Sequence, residues 1–186
     1  HEIEKISYSV EKVWNDNNNQ DGKRLDSIKV QLKANGNNIG EVITLNVNNN
    51  WKNTWTNLPK YEDGKEITYS VEEVSVPKDY EVSYNTSSEG KTVITNTHTP
   101  EKISYSVEKK WDDMNNENKI RPNEIEVQLK ANGINKGSTI KLNAENTWKN
   151  TWNDLPKYEN GVEIKYSVEE VGTINGYTVT YDTNNE

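Results

Sequence analysis

Ile6 to Trp14 reads ISYSVEKVW, and Ile103 to Trp111 reads ISYSVEKKW, an offset of 97 positions. Within the first stretch Ile6, Tyr8, Val10, Lys12 and Trp14 alternate with Ser7, Ser9, Glu11 and Val13, the period of two expected of a strand with one buried face. The same offset relates Val30–Gly36 (VQLKANG) to Val127–Gly133, Trp51–Trp55 (WKNTW) to Trp148–Trp152, and Tyr69–Val74 (YSVEEV) to Tyr166–Val171. Residues 1–89 laid on 98–186 match at 53 of 89 positions without a gap, so the chain contains one domain twice. A period near 100 residues is too long for a solenoid unit and fits an autonomous β-sandwich.

Further strands are predicted at about 26–34, 39–47, 50–57, 65–75, 79–86 and 91–98. The turn signals Asn35-Gly36, Leu58-Pro59, Asp63-Gly64 and Glu89-Gly90 punctuate them. No stretch has a capped 3.6-residue period, so no helix is expected. The reading is therefore all-β: two tandem seven-stranded sandwiches, residues 1–99 and residues 100–186. The second stops at Glu186, which matches Glu89, before its last strand. Pro100 stiffens the short linker, and the two copies are expected to stack end to end.

Composition narrows the function. Thirty acidic against 22 basic side chains give a net charge of −8, which argues against nucleic-acid and anionic-membrane partners. There is no Phe and no Cys, so six Trp and ten Tyr must build the core, and neither disulfides nor thiolate metal sites can brace it. No apolar run approaches the ~18 residues of a membrane span, and the start of the chain has no signal-peptide pattern. The chain is expected to be a piece of a longer protein, monomeric, with anchoring and targeting segments elsewhere.

Three residues break the apolar alternation on inward registers. Lys12 lies between Val10 and Trp14, Glu73 follows Tyr69 and Val71, and Asn96 follows Ile94. The second copy repeats the first two as Lys109 and Glu170. One reading is a buried Lys–Glu ion pair with an Asn hydrogen bond. The other is chemical. Burial favours the neutral amine and the neutral carboxyl, so Lys12 can attack the Asn96 side-chain carbonyl while Glu73 stabilises the intermediate and moves protons. The product would be a Lys–Asn isopeptide bond with loss of ammonia.

Val10-x-Lys12-x-Trp14, Leu58-Pro59-Lys60-Tyr61 with Gly64, Tyr69-x-Val71-x-Glu73 and Ile94-x-Asn96 together resemble the B-type (CnaB-like) repeats of Gram-positive collagen adhesins and pilins. The resemblance covers the whole chain. It implies an inverse immunoglobulin-like sandwich whose first and last strands are joined by a self-formed Lys12–Asn96 bond, promoted by Glu73. It further implies a structural stalk segment of an extracellular adhesin, anchored to the cell wall through segments outside this chain. Its partners would be neighbouring repeats of the same polypeptide, and it would have no turnover activity. Lys109 and Glu170 have no acceptor at the matching position, 193; Asn184 and Asn185 align with the turn residues Ser87 and Ser88.

The remaining signals are weaker. Asn17-x-Asn19-x-Asp21-Gly22 mimics the start of a calcium loop, but Ile28 stands where the loop needs Glu. His1 and His98 read as linker residues, and neither a metal nor a cofactor is expected. Leu58-Pro59 and Leu155-Pro156 lack the Thr-Gly of a sorting signal and read as turns. Trp51 and Trp55, at i and i+4 of one strand, read as core. Exposed, they would instead make a ligand-binding module for host matrix protein or glycan, the competing class of function. Glu72 and Glu73, as neighbours on a strand, point to opposite faces and cannot flank one glycosidic bond.

Overall fold

The computed structural model describes residues 1–87 and 89–183, which divide into two compact units, His1–Pro100 and Glu101–Glu186. In unit one, β1 (Lys5–Asn15), β2 (Ser27–Ala34), β3 (Ile43–Asn46), β4 (Lys52–Pro59), β5 (Tyr69–Val74), β6 (Glu81–Ser87) and β7 (Lys91–Thr97) form two sheets. One has the order β4-β1-β7-β6, and the other is built on β2, which pairs with β3 and β5. Strands are more numerous than the sequence implied. Two-residue ladders occur at Asn37–Asn38, Tyr61–Glu62 and Lys65–Glu66, and Val47–Asn49 forms a single turn of 3-10 helix where no helix was expected. Asn46 caps that turn by accepting from the Asn48 N–H.

The pairing decides which residues meet. β1 and β7 run parallel, with Lys12 opposite Ile94 and Trp14 opposite Asn96. β5 pairs antiparallel with β2 in the facing sheet, with Glu73 opposite Val30. Between the sheets lie Tyr8 and Val10 from β1, Ile28, Val30 and Leu32 from β2, Leu45, Tyr69, Val71 and Ile94. Asn35 and Gly36 both take positive φ, 50° and 83°, as a two-residue hairpin turn requires. β2 departs from alternation: Gln31 is buried between Val30 and Leu32, and its amide donates to the carbonyls of Leu32 and Ile39. These bonds tie the following loop to the strand and offset the cost of burying the amide.

Unit two contains β8 (Lys102–Glu108), β9 (Glu124–Ala131), β10 (Ile140–Asn143), β11 (Lys149–Pro156) and β12 (Tyr166–Glu170). Two-residue ladders again accompany them. β8 is four residues shorter than β1 and, among the described residues, pairs only with β11. The counterpart of β6 was expected as a strand, yet residues 178–183 form none. Both differences have one cause. β7 supplies the backbone partner of both β1 and β6 in unit one, and among the described residues of unit two no strand takes that place. Tyr105 and Val107 are consequently half-buried where Tyr8 and Val10 are buried, and the core separates into two clusters. Among the described residues no helix is long and apolar enough to cross a membrane.

Candidate functional site

Lys12, Glu73 and Asn96 are brought together inside unit one from β1, β5 and β7. The Lys12 and Glu73 side chains are 0% exposed, with Lys12 Nζ 2.9 Å from Glu73 Oε2. Asn96 is also fully buried and donates from Nδ2 to Glu73 Oε1 at 2.9 Å. One carboxylate therefore spans the amine and the amide. Asn96 Oδ1, buried, has no hydrogen-bond partner. Burial pushes the Lys12 ammonium pKa down, and the Glu73 hydrogen bond and charge offset that only in part. The Trp14 ring lies beneath the amine, its centroid 4.4 Å from Nζ.

The chemical capacity of this arrangement follows from its hydrogen bonds. Moving one proton along the Lys12–Glu73 bond produces an uncharged amine and an uncharged carboxyl, both shielded from solvent. The amide bonded to the same carboxyl has a carbonyl oxygen with no donor, and a rotation that exchanged Nδ2 for Oδ1 would let the carboxyl supply one. A proton relay, a nucleophile and an electrophile are thus within hydrogen-bond reach of one carboxyl group.

In unit two Lys109 Nζ and Glu170 Oε2 are also 2.9 Å apart, but their side chains are 16% and 6% exposed. The Trp111 ring lies 4.5 Å from Nζ, so the packing around the amine persists, with no side-chain amide bonded to Glu170 among the described residues. Asn184 and Asn185 lie outside the described residues.

The structure assembles a second polar cluster that the sequence reading missed. Asp16, 2% exposed, receives Arg24 Nε on Oδ2, the Arg24 Nη2 on Oδ1, the Asn19 N–H and the Tyr80 hydroxyl. Burial raises the Asp16 pKa, but these donors outweigh it and the net direction is down. Asp113, Arg121, Asn116 and Tyr177 repeat the arrangement. Recurrence of Asp, Arg and Tyr at the offset of 97 was the available signal. The loop they knot contains the calcium-like motif, whose Asn17, Asn18 and Asn19 all take positive φ. Asn19 Oδ1 accepts from the Arg24 N–H, and among the described residues no group of three His, Cys, Asp or Glu side chains is placed to hold a metal ion.

Two placements require correction. Trp51 is a turn residue with φ 58° rather than part of a strand, although it reaches the core and meets Trp14 edge-on at 5.5 Å. His98, read as a linker residue, is clasped between Asp21 and the Asp79 carbonyl. All six Trp are half-buried; none contributes an exposed platform. Glu72 is more than half exposed while its neighbour Glu73 is buried, as opposite faces require.

The Cna protein B-type domain model matches residues 8–97 and again residues 105–186. The chain belongs to the Cna protein B-type domain family. It is 43% identical over 182 residues to the collagen adhesin of Staphylococcus aureus, an alignment covering 98% of this chain and 15% of that protein. Its structure is similar to the crystal structure of two B repeat units, B1B2, of the collagen-binding protein of Staphylococcus aureus. There the TM-score is 0.83 at 41% identity, over 91% of this chain and 45% of that one. A second similar structure, a single B repeat unit of the same protein, aligns at 42% identity with a TM-score of 0.46, over 97% of this chain and 93% of that one. The B-type chain thus spans less than a sixth of its adhesin relative and under half of the two-repeat structure.

Proposed function

We propose that this chain is a stalk segment of a Gram-positive surface adhesin, made of two tandem B-type repeats that carry a distal ligand-binding region away from the cell wall. Its one reaction is on itself: Lys12 and Asn96 become joined by an isopeptide bond that Glu73 promotes. The observation carrying this reading is the fully buried Lys12–Glu73–Asn96 cluster, in which a single carboxylate bridges an amine and an amide whose carbonyl oxygen is unpaired.

The steps balance within the cluster. Glu73 takes a proton from Lys12, and the neutral Nζ attacks Asn96 Cγ. Rotation of the amide turns its oxygen toward the protonated carboxyl, which donates to it as negative charge develops. The Nζ–Cγ bond forms, the Cγ–Nδ2 bond breaks, Glu73 carries the proton lost by Nζ to the departing nitrogen, and one ammonia leaves. Lys109 and Glu170 form an ion pair with no side-chain amide bonded to Glu170 among the described residues, so one bond is the product expected from these residues. Nothing in the cluster calls for a cofactor or an external substrate.

Intact-mass measurement tests this directly. The expected mass is below the sequence mass by one ammonia, and Glu73→Ala should restore the full value. A wild-type chain at full mass would return the cluster to a plain ion pair. The half-buried Trp side chains weigh against the competing role of a ligand-binding module.

A further inference from the structure

His98 follows β7 and precedes Thr99-Pro100, where the chain leaves unit one. Its ring is held on both sides. Nε2 is 2.8 Å from Asp21 Oδ2, and Nδ1 is 2.9 Å from the backbone carbonyl oxygen of Asp79. The Asp21 side chain is 0% exposed and that of His98 is 11% exposed. The ring also lies against Tyr80 at 5.5 Å, and the backbone N–H of His98 donates to the Asn15 carbonyl.

Both atoms facing the imidazole nitrogens are acceptors. A neutral imidazole has one N–H and one lone pair, so in either tautomer one nitrogen would set its lone pair against an oxygen lone pair. Only the imidazolium, with two N–H donors, satisfies both contacts. We propose that His98 is a proton-binding site that works as a clasp, fastening the end of β7 and the first residues beyond it onto unit one when doubly protonated and releasing them when it loses a proton.

The charged surroundings agree. Asp21 faces the ring from the loop after β1 and Asp79 from the turn before β6, while Arg24, on the same loop as Asp21, is turned onto Asp16. The Tyr80 hydroxyl is likewise committed to Asp16. Burial alone would lower the His98 pKa, but the hydrogen bonds and charges of Asp21 and Asp79 outweigh it and the net direction is up. A raised folded-state pKa means that the clasp contributes fully below the ordinary histidine value of about 6.5 and is lost as pH rises through the folded value. Unit two has Asn118 in place of Asp21 and Gly176 in place of Asp79, so the device belongs to unit one alone.

With only two histidines in the chain, the His98 ring can be followed by NMR from pH 5 to pH 9.5, together with hydrogen exchange at its own backbone amide. The His98 midpoint should lie above about 6.5 in the intact chain and fall back toward that value in Asp21→Asn. Protection of the His98 amide, corrected for intrinsic exchange, should drop on deprotonation by about ten-fold for each pH unit by which the midpoint is raised. In His98→Gln that pH dependence should vanish while the Ile94 amide stays protected, which keeps the test available if Asp21→Asn does not fold. A midpoint at or below about 6.5, or a raised midpoint that persists in Asp21→Asn, would overturn the proposal.

Discussion

Replacing Asn96 with Ala isolates the contribution of the cross-link. The substitution removes the acceptor but leaves Lys12 and Glu73 paired at 2.9 Å, so the loss of stability does not come from stranding a buried charge. The proposed bond between residues 12 and 96 would close a loop of 96 − 12 = 84 residues. By the chain-entropy relation used for disulfides, such a closure restrains the unfolded chain by about 4–5 kcal/mol at 25 °C. Loss of the Asn96–Glu73 hydrogen bond adds roughly 1 kcal/mol. Domains of this size hold only about 5–15 kcal/mol in total, so the variant should be left with a small margin. With about 4–8 °C per kcal/mol, the melting transition of unit one should fall by about 20–50 °C. Calorimetry on the full chain, beside the intact mass of each sample, reads both quantities at once. The wild type should lack one ammonia and the variant should not. A wild-type chain at full mass would refute the cross-link. A deficit in the wild type with a transition moved by less than about 5 °C in the variant would refute the loop-entropy account while leaving the bond standing.

Other outcomes follow from the same contacts. Leu45 is completely buried, and Leu45→Ala should cost unit one about 3–5 kcal/mol in denaturant unfolding, with the mass deficit preserved if the bond forms before purification. Arg24→Ala strips the guanidinium from the buried Asp16 carboxylate and should cost about 2–4 kcal/mol at neutral pH. Because the Asp16 carboxyl pKa is lowered in the fold, that difference is present above its ordinary value near 3.8 and shrinks as pH falls through the folded value; equal losses at pH 7 and pH 2 would contradict it. Unit two should be cut first in limited proteolysis, and amides of residues 178–183 should exchange faster than those of β6, since no ladder protects them. Lys109→Ala should leave the mass deficit of the chain unchanged.

The alternation around Lys12 and Glu73 made the buried cluster legible before any coordinates, because a strand with one wet face reveals an intruding polar residue by parity alone. Asn96 was legible for the same reason. Gln31 was hidden, since parity placed it outward, and only the loop carbonyls it collects explain its burial. The Asp16–Arg24–Tyr80 cluster joins residues up to 64 positions apart, and a local reading of its Asn-rich loop showed only an incomplete likeness to a calcium loop, not the ion pair that holds it. His98 escaped likewise, because its carboxylate partner lies 77 residues away. The missing strand at residues 178–183 could have been anticipated by asking which backbone would receive its hydrogen bonds, a question of pairing rather than of propensity.

The parallel pairing of β1 with β7 has a mechanical consequence. Tension applied before Lys5 and after Thr97 pulls these neighbours past each other along their length, so the pairs from Ser9↔Lys91 to Asn15↔Thr97 are strained in shear together rather than peeled one by one. With Lys12 joined to Asn96 as proposed, the force path would enter along β1, cross at residue 12 and leave through residue 96. Everything between them hangs off the loaded line. Under the proposed bond the roughly 280–300 Å that 84 extended residues would otherwise pay out would stay stored, and unit one would behave under tension as an inextensible link.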